Sequence, residues 1–430
     1  MTQIAELATH HRQPHMVTEL PGPKARAHIA FDASVTSPSL SRAYPIVPVR
    51  GEGVWVEDID GNTFLDFAAG IAVTSTGHAH PDIVDAIRTQ AGELIHFSAS
   101  DFYLPIYARL AAELDRIAPI AGPTRAFIGN SGAEAVEAAL KLARHHTSRQ
   151  NVVAFLGAFH GRTYGALSLT ASKATYHAGF GPLLPGVYHV PYGSAGLDEL
   201  ESRVFPQLMP AREFAAIFVE PVQGEGGYIV PDADFLPRLR RLCDEHGILL
   251  VDDEVQSGAG RTGRMWAIEH WGVEPDIFLT AKGIASGLPI SAAVAKAEIM
   301  DWGPGAHGST FGGNAVACAA ALKTIELLEG GLVANAAARG DEALAGLQPL
   351  VARHPDLVRD VRGLGLMIGI QFASGAVAEA VQSACFQRGL LVLEAGFDVV
   401  RMSPALTLSA AELATGLAIF TAAVDEAAGA

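Results

Sequence analysis

The sequence predicts an α/β fold, in which a large, doubly wound and mostly parallel sheet domain carries a smaller α+β domain. Three observations support this. Residues 152–155, 215–219, 248–251 and 277–280 are short apolar runs without alternation, as parallel strands are when helices cover both faces. Residues 235–246 place Leu236, Leu239 and Leu242 on one helical face and stop at Gly247, so a helix crosses between two of those strands. Beyond about residue 325 this alternation ends, and helix-like stretches enclose a single clear strand.

Taken in order, residues 1–50 are punctuated by Pro14, Pro21, Pro23, Pro38, Pro45 and Pro48 and read as an irregular arm. Residues 54–62 read as a strand entering the turn Asp60-Gly61-Asn62. A helix over 133–145 is opened by a capping box of Ser131 with Glu134, and Glu137 and Lys141 are spaced as an i,i+4 pair. After the four strands come a helix over 315–328, a strand over 366–372, a helix over 377–388 and a last helix over 410–427. The division expected is an arm with part of the small domain over 1–75, the large domain over 76–325, and the small domain over 326–430.

Composition narrows the function. The 430 residues carry 30 Lys+Arg against 46 Asp+Glu, a net charge of −16, which opposes binding to nucleic acid or an anionic membrane. Hydrophobic residues reach 49% and charged ones only 18%, enough apolar material for a large core and unlike a disordered chain. Cys243, Cys318 and Cys385 are scattered, so neither a disulfide framework nor a zinc site is expected. Residues 1–14 lack the apolar run of an export signal, and no charge-free stretch of about 20 residues could span a bilayer. A soluble, cytoplasmic protein is expected.

The chemistry collects where the strands end. Residues 152–155 lead to Gly157-Ala158-Phe159-His160-Gly161-Arg162, and 215–219 lead to Glu220-Pro221-Val222-Gln223-Gly224-Glu225. Residues 248–251 lead to Asp252-Asp253-Glu254-Val255-Gln256, and 277–280 lead to Ala281-Lys282. Ligands of open parallel sheets bind at the carboxyl ends of the strands, so these groups should share one crevice. Any one of them alone would read as a solvated loop charge. Of the six lysines, only Lys282 directly follows a buried-looking strand; the other five read as arm, helix or loop residues. A desolvated lysine loses its proton readily and can form an imine with an aldehyde. Asp253, one strand earlier, could face a protonated pyridine nitrogen, the pairing that makes a pyridoxal ring an electron sink. Gly129-Asn130-Ser131-Gly132-Ala133-Glu134 offers a phosphate the free N–H groups of a helix start.

Other patterns are weaker. Gly258-Ala259-Gly260-Arg261-Thr262-Gly263 matches the dinucleotide fingerprint but lies past a strand end and precedes no clean helix. His78-Ala79-His80 and His145-His146 lack metal-ligand spacing and read as cap, turn or surface residues, so no metal site is assigned.

The motifs Asn130-Ser131-Gly132-Ala133-Glu134-Ala135, Phe159-His160-Gly161-Arg162-Thr163, Glu220 through Gly227, Asp253-Glu254-Val255-Gln256 and Lys282 resemble, in that order, the class III aminotransferases. The resemblance covers nearly the whole chain. It implies a fold type I transferase dependent on pyridoxal 5′-phosphate, working as a homodimer or higher oligomer with shared active sites on small amino and 2-oxo acids. Leu20-Pro21-Gly22-Pro23-Lys24 and Gly70-Ile71-Ala72-Val73 look most like 4-aminobutyrate aminotransferases. Residues 97–103 depart from these, and Ala99-Ser100-Asp101-Phe102-Tyr103 looks more like an archaeal branch that includes amino-acid racemases, so racemisation is the alternative reaction.

The same resemblance implies roles. Lys282 would hold the cofactor covalently and move the substrate proton, and Asp253 would pair with the pyridine nitrogen. Val255 and Phe159 would cover the two ring faces, Gln256 would bond the phenolic oxygen, and His160 and Glu220 would complete the cofactor pocket. Ser131, Gly132 and Ala133 would hold the phosphate, helped by Thr310 from the partner subunit. Ile71, Arg162, Glu225 and Arg401 would meet substrate, with Arg401 receiving an α-carboxylate and Glu225 masking it when an ω-amino substrate binds. For Arg162 a purely structural salt bridge is the alternative.

Overall fold

The structure, a computed structural model, describes residues 13–429; the reading that residues 1–14 form no export signal falls mostly outside it. The described chain opens with a helix, Pro23–Val35, whose proline occupies the first turn, where no N–H is needed. Three antiparallel strands follow, β1 (Pro48–Glu52), β2 (Trp55–Asp58) and β3 (Thr63–Asp66). The expected irregular arm is thus corrected: the prolines of 1–50 start a helix and a strand as well as breaking the chain.

Seven strands then build the large sheet: β4 (Thr124–Gly129), β5 (Asn151–Phe155), β6 (Val187–Val190), β7 (Phe214–Val219), β8 (Leu249–Asp253), β9 (Ile277–Thr280) and β10 (Ser291–Lys296). Their spatial order is β4-β10-β9-β8-β7-β5-β6. The pairs among β5 to β9 are parallel, and only β10 runs antiparallel to its neighbours β4 and β9. The strand interiors are buried on both faces. Val152, Ala154, Phe218 and Val251 pack with the helix Gly132–Thr147 in one apolar cluster. Val153, Phe155, Ile217 and Leu250 belong to a second, which takes in Leu236, Leu239 and Leu242 of the helix Phe235–His246. Gly247 ends that helix in the left-handed conformation (φ 59°).

The rest of the chain supplies β11 (Val358–Leu364), β12 (Met367–Phe372), β13 (Leu390–Leu391), β14 (Leu393–Ala395) and β15 (Val399–Met402). A four-stranded sheet β11-β12-β15-β14 forms here, while β13 crosses over to pair in parallel with β3.

Two local expectations need correction. Glu137 does not pair with Lys141: its carboxylate accepts from Thr163 Oγ1 (2.6 Å) and from the N–H groups of Gly165 and Ala166. The start of the helix Tyr164–Leu169 lies beside it, and free N–H groups near a helix start outcompete an exposed ammonium. Lys141 instead donates to the Ala306 carbonyl (2.9 Å). Lys296, read as a helix or loop residue, closes β10 and meets Asp276 at 2.6 Å.

Between β3 and the large sheet the chain makes one left-handed turn, with positive φ at Ala69 (46°), Gly70 (63°), Ile71 (67°) and Ala72 (58°). Only glycine accepts this without strain; each L-residue costs roughly 1–2 kcal/mol, and β-branched Ile71 is the least suited. Asp66 pins the entry, its Oδ1 accepting from the N–H groups of Ala68 (2.8 Å) and Ala69 (3.0 Å). Its other oxygen meets His78 Nε2 at 2.8 Å, so His78 is neither a cap nor a free surface residue. His80 does cap, accepting from the N–H of Asp82 at the start of Pro81–Glu93. Asp66→Ala should lower the unfolding free energy by about 2 kcal/mol in a denaturant titration. Asp66→Asn, which keeps the accepting oxygen, should lose clearly less; equal losses would show that the turn does not depend on this acceptor.

Candidate active site

The carboxyl ends of β5, β7, β8 and β9 open onto a cleft of about 400 Å³. Of the residues singled out from sequence, Ser131, Gly132, Ala133, Phe159, His160, Arg162, Glu220, Asp253, Val255, Gln256 and Lys282 line it. Ile71, Glu225, Thr310 and Arg401 do not, but Arg401 Nη1 reaches Gln256 Oε1 at 3.5 Å, which sets the Glu225–Arg401 pair at its edge. Ile71 is 43% exposed beside the lining residue Val73. Thr310 is exposed and takes no part in the lining of its own chain.

Each side chain is placed by a strand end. Asp253 closes β8 and bonds His160 Nδ1 through Oδ2 at 2.7 Å, with both groups buried. Its Oδ1 accepts from the N–H of Val255, fixing the carboxylate from a second side. Burial opposes a proton on His160, but the bond to Asp253 and the Asp253 charge outweigh it and raise the imidazole above its ordinary range. Glu220, at the end of β7, accepts from the N–H groups of Phe159 and Gly224 (3.0 Å each), and burial pushes its carboxyl up to about 7. Lys282 follows β9 with φ 45°, another strained backbone position, and burial lowers its amine below the ordinary lysine range. Among the described residues it has no ion pair.

On the opposite wall, Ser131 caps the helix Gly132–Thr147 by accepting from the N–H of Glu134 (3.3 Å). The reciprocal half of the box is shifted by one residue, since Glu134 Oε2 accepts from the N–H of Asn130. The packing here leaves no spare room. A Cβ on Gly132 would come within 2.8 Å of Val255, and one on Gly161 within 2.7 Å of Ala133.

Arg401 lies on β15 and is nearly fully buried, with Nη1 donating to Glu225 Oε1 at 2.5 Å. Burial would raise the Glu225 carboxyl, yet the facing guanidinium overrides it and holds the carboxyl below the usual range. Arg162 has no acid within ion-pair distance among the described residues, so the structural salt bridge is not what holds it. The sequence reasoning missed Val73, Leu288, Pro289 and Ile290 in the lining, and Tyr176 beside Arg162. None of these lies in a strand-end motif. Gly258–Gly263 is a buried junction: a Cβ on Gly258 would strike Trp266 at 2.8 Å, and Arg261 donates to the carbonyls of Leu366 and Pro404. No dinucleotide could approach it. The three cysteines are buried and unpaired, and no group of three potential ligands among the described residues could hold a metal ion.

A strand-end cleft with an unpaired lysine, a histidine-braced aspartate and a free helix start defines a vitamin B6 enzyme of the transferase kind. The sequence profile described as aminotransferase class III matches residues 36–424, and the chain belongs to that family. It is 38% identical to the 4-aminobutyrate aminotransferase of Mycobacterium bovis, over 97% of this chain and 99% of that one. It is 43% identical to the acetylornithine aminotransferase of Thermosynechococcus vestitus, over 92% and 96% respectively. A PLP-bound amine transaminase from an uncultivated Pseudomonas species shares the fold with a TM-score of 0.83 at 33% identity, covering 91% and 98%.

Breaking the Glu225–Arg401 pair should show in the acid limb of stability. A carboxyl depressed in the folded state contributes stability above its unfolded pKa and loses it as pH falls through the folded value. Glu225→Gln should therefore flatten the fall in unfolding free energy as the pH drops below the ordinary carboxyl value of 4.5. A mutant profile parallel to the parent's would mean the pair contributes nothing there.

Proposed function

We propose that this aminotransferase takes its amino group from an acid that carries a terminal amine several carbons from its carboxylate, and delivers it to a 2-oxo acid such as 2-oxoglutarate or pyruvate. The observation that carries this reading is Glu225 on Arg401. A buried charge left uncompensated is costly, and Glu225 supplies the counter-charge to Arg401. With Glu225 in place, the inner arginine is neutralised, and a substrate without an α-carboxylate leaves no buried charge unpaired. When an α-amino acid binds, its carboxylate displaces Glu225 and takes the fork. One cleft thereby serves both halves of a ping-pong exchange. The named relatives act, by their names, on 4-aminobutyrate and acetylornithine, both of which end in a primary amine remote from a carboxylate. The racemase alternative draws no support from these relatives.

The residues present fit pyridoxal 5′-phosphate. The free N–H groups at Gly132 and Ala133 suit its phosphate, the walls at Val255 and Phe159 suit a flat ring, and Lys282 Nζ has no ion pair to surrender among the described residues. When bound, that group supplies an aldehyde for the amine and a pyridinium ring that draws off an electron pair. Asp253 would meet the pyridine nitrogen, held in orientation by His160, while Gln256 and Glu220 would complete the polar rim. Lys282 Nζ, with its lowered proton affinity, is suited to take the proton from the amine-bearing carbon and to return one. Arg162 would receive the distal carboxylate, and Ile71 at the mouth would pack against the connecting carbons.

The reading is tested with a panel of donors, scored for oxo-acid formation and for optical inversion. 4-Aminobutyrate should be consumed only with a 2-oxo acid present, and Lys282→Ala should lose at least a thousandfold in rate, roughly 4 kcal/mol of barrier. Glu225→Ala should impair terminal-amine donors at least tenfold more than glutamate or alanine. Inversion of alanine without an oxo acid, or equal losses on both donor classes, would overturn it.

We further propose a cytoplasmic homodimer in which Thr310 reaches the partner's phosphate site. Phe97 and Phe102 lie exposed 4.3 Å apart, and exposed Phe311 sits 5.1 Å from His96, an apolar strip next to Thr310. The buried free thiols suit a reducing compartment. Sedimentation should give about twice the 45.0 kDa chain mass, and a monomer active at assay concentration would refute the shared site.

A further inference from the structure

Arg162 is exposed and has no acidic partner among the described residues, yet it is not free. Its guanidinium carbon lies 4.2 Å from the centre of the Tyr176 ring and 5.9 Å from that of Phe159. The two rings meet edge to face at 5.7 Å, so Arg162, Tyr176 and Phe159 form one stack on the cleft wall. Tyr176 ends the single turn Ala174–Tyr176, in the segment between the helix Tyr164–Leu169 and β6. Its phenol is half-buried within electrostatic reach of Glu225, Arg162 and Arg401. Arg401 is fixed by Glu225 instead and has no ring as close as 4.2 Å among the described residues, Tyr228 lying 5.9 Å away.

We propose that Tyr176 is a positioning residue that holds Arg162 where a distal carboxylate arrives, and so sets the site's preference for substrates whose carboxylate lies several carbons from the reacting carbon. This rests on Arg162 being the distal-carboxylate reader. An unstacked arginine samples many rotamers, and a guanidinium on an aromatic face is already ordered before the ligand binds. The benefit goes only to substrates that use Arg162: 4-aminobutyrate, 2-oxoglutarate and other acids with a carboxylate at that distance. Alanine and pyruvate, read by Arg401 alone, gain nothing from the stack.

The test compares Tyr176→Ala, Tyr176→Phe and Arg162→Met in the holoenzyme. Tyr176→Ala should raise KM for 4-aminobutyrate and 2-oxoglutarate about tenfold, the worth of one such contact. The kcat values, and KM for alanine and pyruvate, should stay within about twofold. Tyr176→Phe, which keeps the ring and gives up only the phenol's hydrogen bond to Arg162, should recover most of the loss. The inhibition constant of glutarate in the alanine–pyruvate reaction should rise in parallel, without depending on turnover of a terminal amine. Losses of equal size on all substrates, a phenylalanine variant as weak as the alanine one, or no effect of Tyr176→Ala would overturn the proposal. If Arg162→Met raises the distal-carboxylate KM and Tyr176→Ala does not, Tyr176 alone is misassigned. If Arg162→Met also leaves it unchanged, the arginine reading fails and takes this proposal with it.

Discussion

The Glu225–Arg401 contact pairs an almost wholly buried guanidinium with a carboxylate, and it does so across two sheets. Arg401 belongs to β15 in the C-terminal sheet, whereas Glu225 belongs to the loop leaving β7 of the large one. Other bonds follow the same seam: Gly396 donates its N–H to the Glu225 carbonyl, and Arg362 donates to the carbonyls of Gly227 and Tyr228. Removing one partner of a buried pair typically costs 3–5 kcal/mol, so the seam and the edge of the cleft are stabilised by the same charges. Under the proposed function, a substrate carboxylate that displaced Glu225 would keep the guanidinium paired, with a different anion.

Around that pair, the strand pleat decides which acids can act. Asp252 and Asp253 are adjacent in β8, but side chains alternate across a strand. Leu249 and Val251 pack into the cluster that holds Gly132–Thr147, so Asp253 shares their side and reaches His160 and the cleft. Asp252 is turned the other way, fully buried with neither oxygen bonded among the described residues, and burial lifts its carboxyl far above the normal range. Two identical side chains thus differ completely in chemistry by a single step along the backbone.

Much of this was legible in the chain itself. The four apolar runs became β5, β7, β8 and β9, and eleven of the fifteen residues given a site role line the cleft. Strand ends are legible because burial on both faces forces an uninterrupted apolar run, and polar residues can reappear only where the run stops. What was not legible depends on contacts distant in sequence. Tyr176 lies in an irregular segment with no period to betray it, and its meaning comes only from the guanidinium lying over it. Glu137 and Lys141 have ideal helical spacing, but the start of a neighbouring helix takes the carboxylate. His78 gave no signal because its partner Asp66 ends a strand twelve positions earlier. The helix at Pro23–Val35 was hidden because proline punctuates both loops and helix starts.

The pairing of β13 with β3 also bears on the order of assembly. Leu65 aligns with Leu390, about 325 residues downstream, and Phe64 stacks on Phe386 with ring centres 5.6 Å apart. At ribosomal speeds of about 5–20 residues per second, those early apolar side chains wait on the order of tens of seconds for their partners to be synthesised. The large sheet between them can close first, since its strands all lie within the interval. Biogenesis is therefore expected to pass through a species with a finished centre and an unpaired amino-terminal ribbon, the kind of edge that chaperones shield.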